Sequence, residues 1–99
     1  MIEDVEITDN EFLRQFELEI GDNMARIEYA LQDRKIFLTK YEMPEDLEDQ
    51  GFRDIFIKAV FDEVRDRGIS VMPTSPEVVG FLRKNRRKYK DLLPVGINI

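Results

Sequence analysis

Apolar side chains alternate with polar ones at Phe16, Leu18 and Ile20, with Gln15, Glu17 and Glu19 between them, so residues Phe12 to Ile20 read as a half-exposed strand. Gly21-Asp22-Asn23 supplies a tight turn. The alternation resumes at Ala25, Ile27, Tyr29 and Leu31 against Arg26 and Glu28, which predicts an antiparallel hairpin with both apolar sides facing one way. Gln32 to Arg34 reverses the chain again. A third strand follows over Lys35 to Met43, with Ile36 and Leu38 on one side and Phe37, Thr39 and Tyr41 on the other, and Pro44 ends it for want of an amide donor. This meander leaves Phe12 to Ile20 as an edge strand able to pair with a second copy.

The period then changes. Phe52, Ile55, Phe56, Ala59, Val60 and Val64 recur at three- and four-residue steps, the stripe of an amphipathic helix packed on the meander, and Gly68 stands where such a helix stops. Ile69 to Met72 reads as a short fourth strand. Pro76 opens a second helical pattern through Val78, Val79, Phe81 and Leu82, since proline is tolerated in a first helical turn. The expected order is β-β-β-α-β-α, an α+β fold tending toward a three-layer α/β arrangement. Parallel pairing of the strands flanking the long helix makes that crossover right-handed.

Composition narrows the chemistry. A chain of 99 residues fits one domain, 1–99, with one core. Without Cys it has no disulfide framework, thiol nucleophile or thiolate metal site, and without His it lacks the commonest metal ligand and neutral-pH acid–base group. No metal site is expected. The acidic Met1 to Asn10 segment carries no basic-then-apolar signal, and no apolar run approaches the ~20 residues of a membrane helix, so the cytoplasm is the expected compartment. The net charge of −6 is divided: residues 1–63 carry 18 acidic and 7 basic side chains, residues 64–99 carry 3 and 8. Six cations fall between Arg83 and Lys90, so an anionic partner would approach the second part, although such a run also serves simply as a solvated face.

The junction from Glu42 to Asp54 is the most informative stretch, because a strand ends, an acidic connection passes Gly51, and a long helix opens. Unpaired amides and the positive dipole end at a helix start form a phosphate cradle, and glycine lets backbone approach a ligand. Asp46, Glu48 and Asp49 there equally suit a plain helix cap.

Several segments together resemble the small stand-alone GNAT-like N-acetyltransferase domain proteins: Tyr41-Glu42-Met43-Pro44, Leu47-Glu48-Asp49-Gln50-Gly51-Phe52, Val71-Met72-Pro73-Thr74-Ser75-Pro76 and Phe81-Leu82-Arg83-Lys84-Asn85. Asn10, Phe12 and Phe16, with Gly21, Ala25, Ile27 and Tyr29, fit the opening strands, so the resemblance covers roughly residues 10–93. It implies a sheet flanked by helices, acetyl-CoA lying across splayed strands, and cofactor contacts at Tyr41, Met43, Gln50, Gly51, Phe52 and Asp54; by charge, Arg53 and Arg83 are candidates for the cofactor phosphates, although Arg53 equally reads as an exposed residue on the first helical turn. The chain departs from the family's patterns. Where the third strand of the family ends in His-Thr-Glu-Val-Pro, this chain keeps only Glu42 and Pro44. In the pyrophosphate loop, Arg/Gln-x-x-Gly-x-Gly/Ala, Glu48 takes the first place and Arg53 the last, with Gly51 retained. Ser75 replaces a frequent Cys.

Acetyl transfer to an amine needs the neutral amine, and a lysine-like group of pKa ~10.4 costs about 4.6 kcal/mol to deprotonate at pH 7. Glu42, directly or through water, is the candidate proton acceptor, and Ser75 either donates a proton to the leaving thiolate or caps the helix opened by Pro76. The resemblance thus implies an acetyl-CoA-dependent N-acetyltransferase acting on a small amine or a protein amine, as a monomer or weak homodimer. The alternative is a catalytically degenerate member that binds CoA or another protein. A nucleic-acid module using the basic run and Tyr89 is a third reading, opposed by the acidic remainder.

Overall fold

The computed structural model describes residues 5–94 and residue 96. Its centre is a mixed five-stranded sheet in the order β1-β2-β3-β4-β5, made of β1 (Thr8–Asn10), β2 (Gln15–Ile20), β3 (Asn23–Gln32), β4 (Lys35–Glu42) and β5 (Ser70–Pro73). The first four strands pair antiparallel, and β4 pairs parallel with β5. Helices α1 (Glu45–Asp49), α2 (Phe52–Arg67), α3 (Pro76–Lys84) and α4 (Arg86–Tyr89) complete it, with a final 3-10 turn at Lys90–Leu92. Among the described residues no helix is long and apolar enough to cross a membrane.

Three elements, β1, α1 and α4, were not expected. Polar Thr8, Asp9 and Asn10 form β1, which pairs with Glu17, Phe16 and Gln15 and thereby moves β2 from the sheet edge to its interior. The expectation that Phe12 to Ile20 is an edge strand is therefore corrected: the strand proper begins at Gln15, and Phe12 lies in the preceding turn, 93% exposed. The second addition is α1, a single turn within the acidic connection before Gly51. The order becomes β-β-β-β-α-α-β-α-α.

A bulge also changes the facing of β4. Glu28 pairs with Lys40 and Tyr29 with Leu38, which leaves Thr39 as an extra residue opposite the Glu28–Tyr29 step. Its hydroxyl donates to the Glu28 carbonyl at 3.3 Å. An extra residue inverts the parity of everything beyond it, so Tyr41 shares a face with Ile36 and Leu38 instead of opposing them. Tyr41 accordingly packs against the core. Glu42 turns to the other face, in a charged row with Glu17 and Arg26.

On the apolar face Phe16, Leu18, Ala25, Ile27, Ile36, Leu38 and Val71 are fully buried with α2. The buried arc of α2 is rotated from the sequence stripe, with Ile57 and Phe61 fully buried and Ile55 and Ala59 only half-buried, and Phe61 meets Phe81 of α3 and Tyr89 of α4 edge to face at 5.3 and 5.1 Å. Gly68, at φ +70°, adopts the left-handed conformation that ends α2 without a Cβ penalty.

Candidate functional site

An opening in the sheet follows from strand lengths. β4 pairs with β5 only from Lys35–Ser70 to Leu38–Pro73, yet β4 continues to Glu42. The Leu38 carbonyl accepts from the amides of Thr74 and Ser75 at 3.3 and 3.2 Å and from the Thr74 hydroxyl at 2.9 Å, which anchors the chain there before Pro76 starts α3. Among the described residues no strand pairs with Thr39–Glu42 on that side. Pairing on that side of β4 therefore ends with β5 at Pro73, and β4 runs on toward the start of α2, where Tyr41 lies under Arg53.

That start lies beside Gly51, whose φ of +84° closes α1 and redirects the chain. The amides of Gln50 and Gly51 donate to Leu47 and Glu48 carbonyls at 3.2 and 3.0 Å, so they finish α1. No side chain caps α2, which leaves the amides of its first turn, Phe52, Arg53 and Asp54, as the donors pointing outward. A Cβ built on Gly51 meets nothing within 4 Å, so the space beside Gly51 is open. The Phe52 side chain is buried in the core, and the Gln50 side chain donates back to the Asp46 carbonyl at 3.1 Å.

The two departures in the loop pattern are partners. Arg53 Nε donates to Glu48 Oε1 and Oε2 at 3.0 and 3.2 Å and Nη2 donates to Oε2 at 2.8 Å, while the guanidinium lies 5.5 Å from the Tyr41 ring centroid. Tyr41 donates its hydroxyl to Glu48 at 3.1 Å, with Met43 Sδ at 3.2 Å. The Arg53 hydrogen bonds hold the Glu48 carboxyl below its usual range, and Glu48 in turn raises Arg53. Burial, then the Glu48 charge, pushes the Tyr41 phenol up, so it stays a neutral donor. A carboxylate and a cation placed in the loop thus neutralise each other.

Across the opening stands α3. Arg53 and Asp54 face Pro76, Glu77, Gly80, Phe81 and Lys84 over a cleft of about 180 Å³. The cation that reaches the first turn of α2 is Lys84, 3.0 Å from Asp54, a residue the sequence reading did not single out. Nothing in the linear spacing marks it, because the contact spans thirty positions. Arg83 lies instead in a shallow basic concavity formed by residues 83–88.

The two catalytic candidates are held differently. Glu42 is ion-paired with Arg26, has Lys40 Nζ at 3.8 Å, and lines a groove of about 290 Å³ with Met24, Arg26, Met43 and Pro44. Ser75 is buried and donates its hydroxyl to Glu77 Oε1 at 2.7 Å. It occupies the N-cap position of α3 without a side-chain hydrogen bond to a helix amide, so the expected capping bond is not made. Tyr89, the aromatic a base-stacking surface would need, is 1% exposed and carries the Arg65 guanidinium 5.2 Å from its ring centroid. No cluster of three or more metal-ligating side chains occurs among the described residues.

Comparison with known proteins agrees with this architecture. No curated protein matches the chain. The solution structure of a GCN5-like protein from Staphylococcus aureus, 22% identical, superposes with a TM-score of 0.69 over 98% of this chain and 94% of that one, a likeness of fold. The profile of GCN5-related N-acetyl-transferases matches residues 15–92, which spans every strand from β2 onward, both sides of the opening and the Gly51 loop, and the chain belongs to that family.

Proposed function

We propose that this protein binds acetyl-CoA across the opening between β4 and α3 and transfers the acetyl group to an amine. The observation that carries the reading is the end of β4, paired with β3 but not with β5, lying next to the uncapped first turn of a 16-residue helix with open space beside Gly51. The residues suit such a group. The Phe52, Arg53 and Asp54 amides and the positive end of α2 would hold the pyrophosphate. Of the carboxylates crowding the loop, Glu48 is neutralised by Arg53 and Asp54 by Lys84. Unpaired backbone groups of β4 are available to the thioester end.

Because Tyr41 and Glu42 point to opposite faces of β4, cofactor and acceptor would meet across the strand's free edge. In the transfer, the amine nitrogen attacks the thioester carbonyl carbon, a C–N bond forms, the C–S bond breaks and CoA leaves as thiolate. Glu42 takes the ammonium proton through water, in the groove beside Met24 and Met43. Ser75, at the head of α3, is the candidate for returning a proton to sulfur.

A second reading, a member that binds CoA without turnover, draws on one observation: both catalytic candidates are already engaged, Glu42 by Arg26 and Ser75 by Glu77. Release of free thiol from acetyl-CoA against a panel of small amines and lysine peptides separates the two. Amine-dependent release that Glu42→Gln reduces supports transfer, and CoA binding with no release under any acceptor refutes it.

A further inference from the structure

Pro76, Glu77, Gly80 and Lys84 recur at the spacing of one helix face, and that face of α3 forms the far wall of the cleft opposite Arg53 and Asp54. Gly80 sits inside a helix, where glycine is less favourable than alanine. A Cβ there meets nothing within 4 Å, so neither packing nor a positive φ demands a glycine. What the missing methyl does leave is room in the cleft wall.

Four residues on, Lys84 differs from the loop cation in how it is held. Arg53 is gripped by three hydrogen bonds to Glu48 and laid on Tyr41. Among the described residues Lys84 makes a single ion pair, with Asp54, the two side chains being 64% and 50% exposed. An exposed pair of this kind is readily exchanged. An anion at the first turn of α2 would therefore find Lys84 available and Arg53 already spent.

We propose that the Gly80–Lys84 face of α3 is the phosphate-recognising wall of this site: Lys84 exchanges Asp54 for the cofactor pyrophosphate, and Gly80 leaves space for its close approach. The inference rests on the acetyl-CoA reading above. The cationic role that the family's loop pattern gives to its first residue is, in this chain, moved onto a helix on the other side of the cleft. Asp54 is then a competitor for the lysine, and its carboxylate returns to water when the phosphate arrives.

Calorimetric titration at low ionic strength with CoA, 3′-dephospho-CoA and acetyl-pantetheine tests this. Lys84→Ala should weaken CoA and 3′-dephospho-CoA alike by about tenfold, the worth of one charge-assisted contact, and leave acetyl-pantetheine unchanged. Gly80→Ala should raise the thermal midpoint while weakening CoA, and Asp54→Asn should tighten it. Wild-type affinity for CoA in both Lys84→Ala and Gly80→Ala overturns the proposal and leaves the acetyl-CoA reading standing, as does a Lys84→Ala loss confined to CoA, which would assign the lysine to the 3′-phosphate. Absence of CoA binding by the wild-type protein removes both.

Discussion

Replacing Glu48 with Gln restores the amide that the family's phosphate loop uses at this position, and the structure fixes the sign of the result. Glu48 and Arg53 lie 2.8 Å apart, so a phosphate on the first turn of α2 feels their charges at nearly equal distance and the two cancel. The substitution leaves a net positive charge. At a separation of about 6 Å that is worth about 0.7 kcal/mol in bulk water and about 2.8 kcal/mol at an effective dielectric of 20. CoA should therefore bind about threefold to a hundredfold more tightly at low salt, with the gain shrinking as salt rises. The cost to folding is small, since the Arg53 side chain is 46% exposed and such pairs contribute about 0–1 kcal/mol. Calorimetry of wild type and variant over a salt series measures the effect. Unchanged or weaker CoA binding by Glu48→Gln would refute the claim that this pair silences the loop.

Other consequences concern the frame of the site. Glu48 has a depressed folded-state pKa, so its contribution is present above the unfolded value of ~4.3 and is lost as pH falls through the folded one; the acid side of the thermal-midpoint profile should flatten in Glu48→Gln. Burial and the Asp9 hydrogen bond push the Tyr29 phenol up to about 12, so its stabilisation persists below pH ~10 and disappears as pH rises through 12. Tyr29→Phe should lose about 1 kcal/mol at neutral pH and show less alkaline destabilisation in the same scan. Phe61→Ala removes a fully buried ring that joins α2 to α3 and α4 and should cost about 3–5 kcal/mol in urea unfolding. Arg34 holds φ +62° in the β3–β4 turn, so Arg34→Gly should raise stability by about 1 kcal/mol, read as a higher thermal midpoint.

The strongly periodic elements were legible in the sequence, because β2, β3 and α2 each bury one face and must show it. Their failures have distinct causes. Thr8 to Asn10 carries no alternation, since Asp9 reaches the core face as the acceptor of Tyr29 and Arg67, not as an apolar side chain. Tyr41 was assigned to the wrong face because a single extra residue, Thr39, inverts the parity of β4, and alternation read along one strand does not reveal the count on its neighbour. The junction around Gly51 and the opening of α2 are legible as a candidate from helix-start chemistry, and the resemblance adds the cofactor contacts proposed around them. The Glu48–Arg53 pairing and the arrival of Lys84 depend on contacts across five and thirty positions, which spacing along the chain does not encode.

The central claim is that an acyl-CoA seats its phosphates on the first turn of α2 and its thioester end along the free edge of β4. Amide chemical shifts followed during an acetyl-CoA titration test it directly. The account predicts saturable shifts at Phe52, Arg53 and Asp54, together with Lys40 to Glu42 and the Gly80–Lys84 stretch, while the β1–β2 side of the sheet stays still. Shifts confined to the basic run beyond Asn85, or none at these amides at saturating ligand, would contradict it.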